Sequence, residues 1–341
     1  MKSFILFSIL FCSVVYGQTT INPVWIKEIS SSINKNAESW GIDVDINGNV
    51  YWALNIDDNN QGLDINLYKY TSGGNEIWSN PTFSGGSGAQ QSYVAKVKGN
   101  YVYVGGRACP FLVNTCDMML MKINITTGVI EWTKTLNYSG DGYDEVDGLV
   151  IEDDAIYCGG WASELEGGTY NTDIGLWKLD LDGNTIWTNY FGQTGSAEHQ
   201  DGHFVVDDNY IYVGGLWNGT GAANLYNGNS FVGRFSKTNG NFVDSTLFGY
   251  QSNNFLDVEN ELGMATDGEF LYMTGYSTPP GLGNWQLYVA KFDKDLNQIW
   301  YIDWGGEGTE SARGIAVKDG IIYISGVTES ESIVTGGERD G

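Results

Sequence analysis

Six residues that can bind a cation or a hydroxyl group recur at one point of a repeated sequence pattern. Carboxylate, amide and imidazole groups gathered at one mouth can coordinate a cation or hydrogen-bond to sugar hydroxyls. Two carboxylates that converge there could also serve as the acid and the base of a glycosidase. The alternative is that these residues cap strand ends and meet solvent. The six are Glu38, Gln91, Asp144, His199, Glu259 and Glu310.

Two further patterns resemble metal ligands. The aspartate-rich segments 45–49 (DINGN) and 180–184 (DLDGN) resemble the start of a calcium loop, but neither keeps the later glutamate at its required spacing. We therefore interpret both as hairpin turns. His199 and His203 are four residues apart, which would suit shared metal ligation on a helix, but His203 begins a strand here. No metal and no cofactor is predicted, and calcium is left open as the alternative.

The elements that would position these residues are two kinds of alternating hairpin. The first reads DIGLWKLDLDGNTIWTNYF at 173–191, where two alternating strands flank an Asp-Gly-Asn turn. The second is typified by GIAVKDGIIYISG at 314–326. Copies of the first kind lie at 64–78, 117–132, 230–243 and 287–300, and copies of the second at 41–54, 94–106, 148–160, 203–215 and 263–275.

One tyrosine of the second hairpin marks the period of the repeat. It falls at positions 51, 103, 157, 212, 272 and 323, and subtraction of consecutive positions gives 52, 54, 55, 60 and 51. A four-stranded unit repeated every ~50 residues is typical of a β-propeller. Because a lone four-stranded sheet cannot bury both faces, we expect neighbouring blades to stack, with the tryptophans of the outermost strands between them. The predicted fold class is all-β.

At this level the chain resembles known bacterial repeats. The sequence GIAVKDGIIYISG, followed by an alternating lysine-containing strand, resembles the SBBP-type propeller repeat. The Gly-x-x-x-Trp endings at 74–78, 128–132 and 183–187 resemble PQQ-like repeats. The resemblance covers nearly all of the chain after the first 17 residues. It implies a propeller scaffold and says little about activity, because such scaffolds host many roles.

Six blades are expected. Val24-Trp25 matches the Ile-Trp of the outermost strands, so the N-terminal segment would supply the outermost strand of the last blade. Five blades would be complete, and residues 314–326 would begin the sixth. Because the sequence stops where that blade's third strand should begin, we expect a C-terminally truncated propeller domain. Seven blades in a longer parent protein is the alternative.

The N-terminus predicts export. Residues 1–17 carry Lys2, then an apolar run and a small residue before Gln18, which is the pattern of a secretory signal peptide. Residues 18–341 would then form a single propeller domain outside the cell, either secreted or at the cell surface. No later apolar run is long enough to span a bilayer.

The cysteines agree with an exported chain. Cys109 and Cys116 bracket one short loop, and in an oxidising compartment they predict a local disulfide. Cys158 follows the repeat tyrosine Tyr157 in a strand and is expected to be a buried free thiol. The sequence has no vicinal cysteine pair that could carry a quinone cofactor.

Charge and loop length indicate the class of function. The net charge is −25, from 17 basic and 42 acidic residues, which disfavours nucleic acid and anionic membranes as partners. The hairpin turns are short, whereas the other connections are long and would emerge on one face, where binding residues concentrate. We therefore predict a non-catalytic extracellular binding or adhesion scaffold that engages an unknown protein or glycan through this long-loop face. The alternative is a carbohydrate-active hydrolase or lyase with carboxylates at the channel mouth.

Overall fold

The computed structural model describes the repeated part of the chain in blocks. Every regular element among these residues is a β-strand, and they include no helix long and apolar enough to cross a membrane. The predicted signal peptide 1–17 and the C-terminal residues 331–341 lie outside them. The described residues are 25–27, 29, 37–56, 63–83, 88–110, 115–138, 142–166, 169–192, 204–217, 229–249, 259–279 and 283–330.

Twenty of the twenty-two described strands form five four-stranded sheets, in each of which the strands are hydrogen-bonded in chain order. The first is β1 (Ala37–Val44), β2 (Val50–Ile56), β3 (Asp64–Tyr70) and β4 (Glu76–Phe83); the second is β5 (Gly88–Lys98), β6 (Tyr101–Pro110), β7 (Asp117–Asn124) and β8 (Ile130–Leu136). The third is β9 (Gly148–Ile151), β10 (Ile156–Glu166), β11 (Thr169–Leu179) and β12 (Thr185–Phe191); the fourth is β13 (Phe204–Val206), β14 (Tyr210–Trp217), β15 (Asn229–Ser236) and β16 (Phe242–Phe248). The fifth is β17 (Glu259–Thr266), β18 (Leu271–Ser277), β19 (Gln286–Phe292) and β20 (Gln298–Trp304).

Each sheet joins one hairpin of each predicted kind. In the first sheet, β1 pairs with β2 and β3 with β4 across short turns, and β2 and β3 pair antiparallel in the middle. A four-stranded antiparallel meander of this kind is the blade of a β-propeller, so the predicted all-β propeller fold is confirmed. A further two-stranded sheet of β21 (Glu310–Lys318) and β22 (Ile321–Thr328) completes the described elements, which is consistent with six blades.

The chain divides into two compact units, and a core lies inside each. The first unit is 1–158 with 179–184, and the second is 159–178 with 185–341. In the first, Tyr51 of β2 and Met119 of β7 belong to one buried cluster that spans neighbouring sheets. In the second, Tyr212 of β14 and Tyr288 of β19 do the same. Stacked apolar faces therefore form the core, as expected for blades. A single domain over 18–341 stays a prediction.

A row of three residues crosses the last three strands of several sheets. Lys69 in β3 lies opposite Tyr51 in β2 and Trp78 in β4. Its ammonium group lies 5.2 Å from the centre of the Tyr51 ring, within the range of a cation–π interaction. The row recurs as Tyr103, Lys122 and Trp132, as Tyr272, Lys291 and Trp300, and, with a salt bridge in place of the tryptophan, as Tyr212, Arg234 and Asp244.

The lysine and the tryptophan of this row also donate hydrogen bonds to the next sheet along the chain. Lys69 Nζ and Trp78 Nε1 both donate hydrogen bonds to the main-chain oxygen of Ile125, at 2.8 and 3.0 Å. The tryptophan thus packs between blades, as the sequence predicted. The same pair of bonds recurs from Lys122 and Trp132 to the oxygen of Leu181.

Trp25 makes the same contact as these tryptophans without belonging to a strand. Its Nε1 donates to the main-chain oxygen of Ser72 at 3.0 Å, and its ring packs on Gly74 of the same turn. Residues 25–27 form no strand, so the predicted outermost strand of the last blade is not formed by the residues that the structure describes here. What the N-terminal segment does supply is a tryptophan docked on the first sheet.

Candidate functional site

The predicted ring of six ligand residues divides into two registers. Glu38 and Gln91 lie two residues before a β-bulge in their strand, whereas Glu259 and Glu310 lie three residues before theirs. Since successive strand residues point to opposite faces, the four positions are not equivalent. The residue that each bulge leaves unpaired is Trp40 in β1, Tyr93 in β5, Leu262 in β17 and Arg313 in β21. Asp144 lies in the loop ahead of β9, and His199 lies outside the described residues.

Glu310 is fully buried, and its carboxylate accepts hydrogen bonds from neighbouring segments of the chain. One carboxylate oxygen accepts hydrogen bonds from the Gly306 amide at 3.0 Å and from the Gln286 side chain at 3.4 Å. The other accepts bonds from the hydroxyl groups of Thr328 and Ser330. These contacts join loop 305–308 and the start of β19 to the end of β22. The alternative reading, a cap at a strand end, describes Glu310.

Asp144 has a similar role in the first unit. It is 1% exposed, and its Oδ2 accepts a hydrogen bond from the Tyr138 amide at 2.8 Å. Its own amide donates to the main-chain oxygen of Cys116 at 2.8 Å. A disulfide joins Cys116 to Cys109, so the loop ahead of β9 is tied to a covalently closed segment. Cys158 is a buried free thiol.

A polar cluster on the long-loop side of the second sheet is centred on Arg107, near the end of β6. Its guanidinium donates from Nε at 2.9 Å, and also from Nη2, to Oε1 of Gln91 on the adjacent strand. Nη1 donates to Oε2 of Glu145 at 2.9 Å. The side chains of Arg107 and Glu145 are 27% and 11% exposed, so the pair is partly shielded from water. Three separate elements therefore hold one preorganised arginine.

Tyr93, the bulge residue of β5, completes this cluster. Its hydroxyl donates to Oε1 of Gln91 at 3.3 Å, and the Arg107 guanidinium lies 5.6 Å from its ring centre. Burial raises the pKa of Tyr93 well above its usual range, and the negative charge of Glu145 raises it further, although Arg107 opposes both effects. Tyr93 is therefore a neutral hydrogen-bond donor at ordinary pH and not a base.

A glycine lets the bulge form. Gly106 lies opposite Ser92 just before the bulge, and a Cβ atom on Gly106 would collide with the main-chain oxygen of Gln91. The close approach of the two strands re-aims the Tyr93 side chain, as bulges commonly do next to binding sites. In the last described sheet, a Cβ atom on Gly326 would likewise collide with the main-chain oxygen of Ser311.

The equivalent bulge in β1 presents an aromatic side chain to solvent. Trp40 is 52% exposed. It directly precedes Gly41, where a Cβ atom would lie 3.0 Å from the backbone of Val94, the residue that follows Tyr93. The first strands of two neighbouring sheets therefore approach at this point, with one aromatic bulge residue on each.

Sequence reasoning missed the residues that make up this cluster. Gln91 was predicted, and Asp144 is adjacent to Glu145, but Arg107, Tyr93 and Trp40 were not singled out. A signal for two of them was present, since an aromatic residue lies two positions after Glu38 and after Gln91.

The aspartate-rich turns use their carboxylates internally. Oδ1 of Asp45 accepts hydrogen bonds from the amides of Asn47 and Asn49, and Oδ2 accepts from the Asn49 side chain and the Tyr51 hydroxyl. Asp180 repeats the three bonds from its own turn. These are hairpin turns closed by an aspartate side chain. Among the described residues, no group of three acidic, histidine or cysteine side chains could hold a metal.

Comparison with known proteins adds only general likeness. No family model matches the chain, and no curated protein matches it. The WD40 domain of Pan2 from Neurospora crassa superposes with a TM-score of 0.49 at 10% identity, over 82% of this chain and 68% of that one. The propeller domain of the Trilobed protease from Pyrococcus furiosus gives 0.47 at 11%, over 86% and 80%. The acylaminoacyl peptidase of Pyrococcus horikoshii gives 0.49 at 10%, over 88% and 44%.

At these scores the likeness carries no argument about activity, and the fold assignment rests on the sheet topology itself. The similarity to SBBP-type and PQQ-like repeats stays a resemblance between sequences.

Proposed function

We propose that the protein is a secreted, non-catalytic scaffold that binds an extracellular glycan at the cluster around Arg107. The observation that carries the proposal is the preorganised arginine beside the bulge residue Tyr93. Planar donors and acceptors held by rigid strands, together with an exposed indole such as Trp40, suit the hydroxyl groups and the apolar faces of sugar rings. Secretion is supported by the pattern of residues 1–17 and by the Cys109–Cys116 disulfide, because such bridges persist in oxidising compartments.

The alternative hydrolase or lyase receives less support. Such an enzyme needs an acid and a base that face the substrate. Asp144 and Glu310 are nearly or fully buried and accept hydrogen bonds from the chain itself. The raised pKa of Tyr93 keeps its hydroxyl group protonated at neutral pH, so no phenolate is present to act as the base. Arg107 is engaged by Glu145 and Gln91 in a way that rigidifies a binding surface.

The test uses residues 18–341 produced in an oxidising host and applied to an array of neutral and acidic glycans. The best glycan is then titrated calorimetrically against the wild-type chain, Trp40→Ala and Arg107→Ala. We expect saturable binding that each substitution weakens at least tenfold. The matched control is Trp285→Ala, which removes a tryptophan of similar exposure (43%) from the fifth sheet region and should leave the affinity unchanged.

The same titrated mixtures are assayed for new reducing ends and for unsaturated uronates. Neither product is expected. Equal affinity in all four proteins would overturn the proposed site, and release of either product by the wild-type chain would overturn the non-catalytic proposal. A chain that binds no glycan, but does bind a purified extracellular protein with loss in Arg107→Ala, would replace the glycan by a protein ligand.

A further inference from the structure

Two equivalent spaces between neighbouring sheets differ widely in volume. One lies between the first and second sheets and has a volume of about 10 Å³. The other lies between the third and fourth sheets, inside the second unit, and has a volume of about 350 Å³. A volume of that size is in the range of small-molecule sites. The lining of the first includes Met121, Ile123 and Ile130. The lining of the second includes Leu176, Asn189, Phe191, Phe235, Asn241 and Phe242.

One position that differs between the two sheets lies beside the larger space. Met121 precedes Lys122 in β7 and fills the small space, whereas Gly233 holds the same position before Arg234 in β15. Gly233 leaves room for two aromatic rings, since a Cβ atom on it would lie 3.0 Å from the rings of Phe231 and Phe235, and Phe235 lines the cavity. The larger cavity therefore lies where Phe235 and Phe242 stand in place of Ile123 and Ile130 of the second sheet.

Aromatic rings form one wall of the cavity. Phe191 and Phe242 are stacked with their centres 4.4 Å apart. Phe235 lies edge-on to both, at 5.4 and 5.6 Å. Phe242 is 41% exposed, which places the aromatic wall at the mouth as well as inside. Flat rings pack on such a wall in offset or edge-on geometry.

The side-chain amides of Asn189 and Asn241 lie at the rim of the cavity. No charged side chain is among the lining residues. Asn189 Nδ2 donates to Oδ1 of Asn241 at 2.9 Å. Asn189 Oδ1 accepts the amide of Tyr190, also at 2.9 Å. The Nδ2 group of Asn241 is left at the rim, where it can donate to an incoming acceptor.

We propose that this cavity, named here the Phe191 cavity after its stacked wall, binds an uncharged molecule of one or two rings that carries a hydrogen-bond acceptor. The rings would occupy the space beside Phe191, Phe235 and Phe242, and the acceptor would meet the amide pair at the rim. A charged ligand is disfavoured because nothing in the lining offsets the cost of removing a charge from water. This site is independent of the glycan site.

The test titrates the full chain with prodan, an uncharged naphthalene ketone whose emission shifts to the blue in apolar surroundings. We expect saturable one-to-one binding. Leu176→Trp fills the cavity and should weaken binding at least tenfold. The matched control, Ile186→Trp, adds the same ring to an exposed position of β12, 54% exposed in the wild type, and should leave binding unchanged.

Non-saturable binding, or equal affinity in both tryptophan variants, would overturn the proposal. If Leu176→Trp does not fold, Leu176→Phe provides a smaller filling group and the same comparison. Failure of both to fold would mean that the interface has no spare volume, and the proposal would then be wrong.

Discussion

Trp78 donates its indole N–H to the main-chain oxygen of Ile125, in the next sheet along the chain. The chain separation is 47 residues, and the equivalent bonds from Trp25 to Ser72 and from Trp132 to Leu181 span 47 and 49. One contact therefore joins the outermost strand or segment of one repeat to the hairpin turn of the next. The number of residues between donor and acceptor is nearly constant because the contact joins equivalent positions of consecutive repeats.

Replacing Trp132 by phenylalanine should lower the free energy of unfolding by about 1–2 kcal/mol, because the oxygen of Leu181 loses one of its two donors and the packing on the next turn shrinks. Urea denaturation followed by circular dichroism measures the change. Trp304→Phe is the matched control, and because Trp304 is 51% exposed it should change the stability by less than about 0.5 kcal/mol. Equal losses in the two variants would contradict the role assigned to the indole N–H.

Glu310→Ala should destabilise the chain by about 3 kcal/mol, because several donors around a fully buried carboxylate lose their acceptor. Glu310→Gln keeps one acceptor oxygen and should have an intermediate effect. The control is Glu269→Ala, an exposed glutamate in a hairpin turn, for which almost no change is expected. If Glu310→Ala kept full stability but abolished glycan binding, Glu310 would be a ligand residue and the capping interpretation would be wrong.

Gly106→Ala should cost ~2–3 kcal/mol, since a Cβ atom there meets the Gln91 backbone and the strand has to shift. The shift should also displace Tyr93 and weaken ligand binding at the Arg107 cluster. Gly73→Ala is the control, because the nearest atom to its Cβ would be 3.8 Å away. Thermal unfolding compares the two variants. A Gly106→Ala chain with the wild-type midpoint would show that the bulge does not need the close approach.

Low pH should lower the free energy of unfolding, because it protonates the aspartates that close the hairpin turns. Hydrogen bonds from the Asn184 side chain and backbone hold the pKa of Asp180 below its usual range, and Asn297 does the same for the pKa of Asp293. A pKa that folding lowers contributes stability above the unfolded value of about 3.9, and that stability is lost as the pH falls through the folded value. The denaturant concentration at the unfolding midpoint should therefore decrease as the pH is lowered below about 4.

The double variant Asp180→Asn/Asp293→Asn checks this acid dependence. It should show a flatter fall of the denaturation midpoint between about pH 5 and pH 2, because two of the responsible groups no longer titrate. Asp208→Asn, at an exposed turn position, is the control and should follow the wild-type curve. Identical curves for all three proteins would assign the acid response to other carboxylates.

The local part of this structure follows from the sequence. Residues 173–191 predicted a hairpin, and β11 and β12 form it around the turn at Gly183, which has a φ of 78°. Side chains alternate every two residues in a strand, and the turn type fixes the pairing, so strand order within a blade was predictable from neighbouring residues alone. The repeat of Trp78 and its equivalents then identified the stacking.

The candidate site depended on the tertiary structure. Arg107 and Glu145 are 38 positions apart, and no periodicity links them. Both strands bulge at the same point of the repeat, but Glu310 lies three residues before its bulge and Gln91 only two before its own, so Glu310 is buried among its own hydrogen-bond donors whereas Gln91 meets Arg107. The burial and hydrogen bonding of these carboxylates depend on partners from segments that are distant in the sequence. A repeated sequence pattern gives each sheet the same backbone conformation. The burial and the hydrogen bonds of a side chain depend instead on groups that are distant in the sequence.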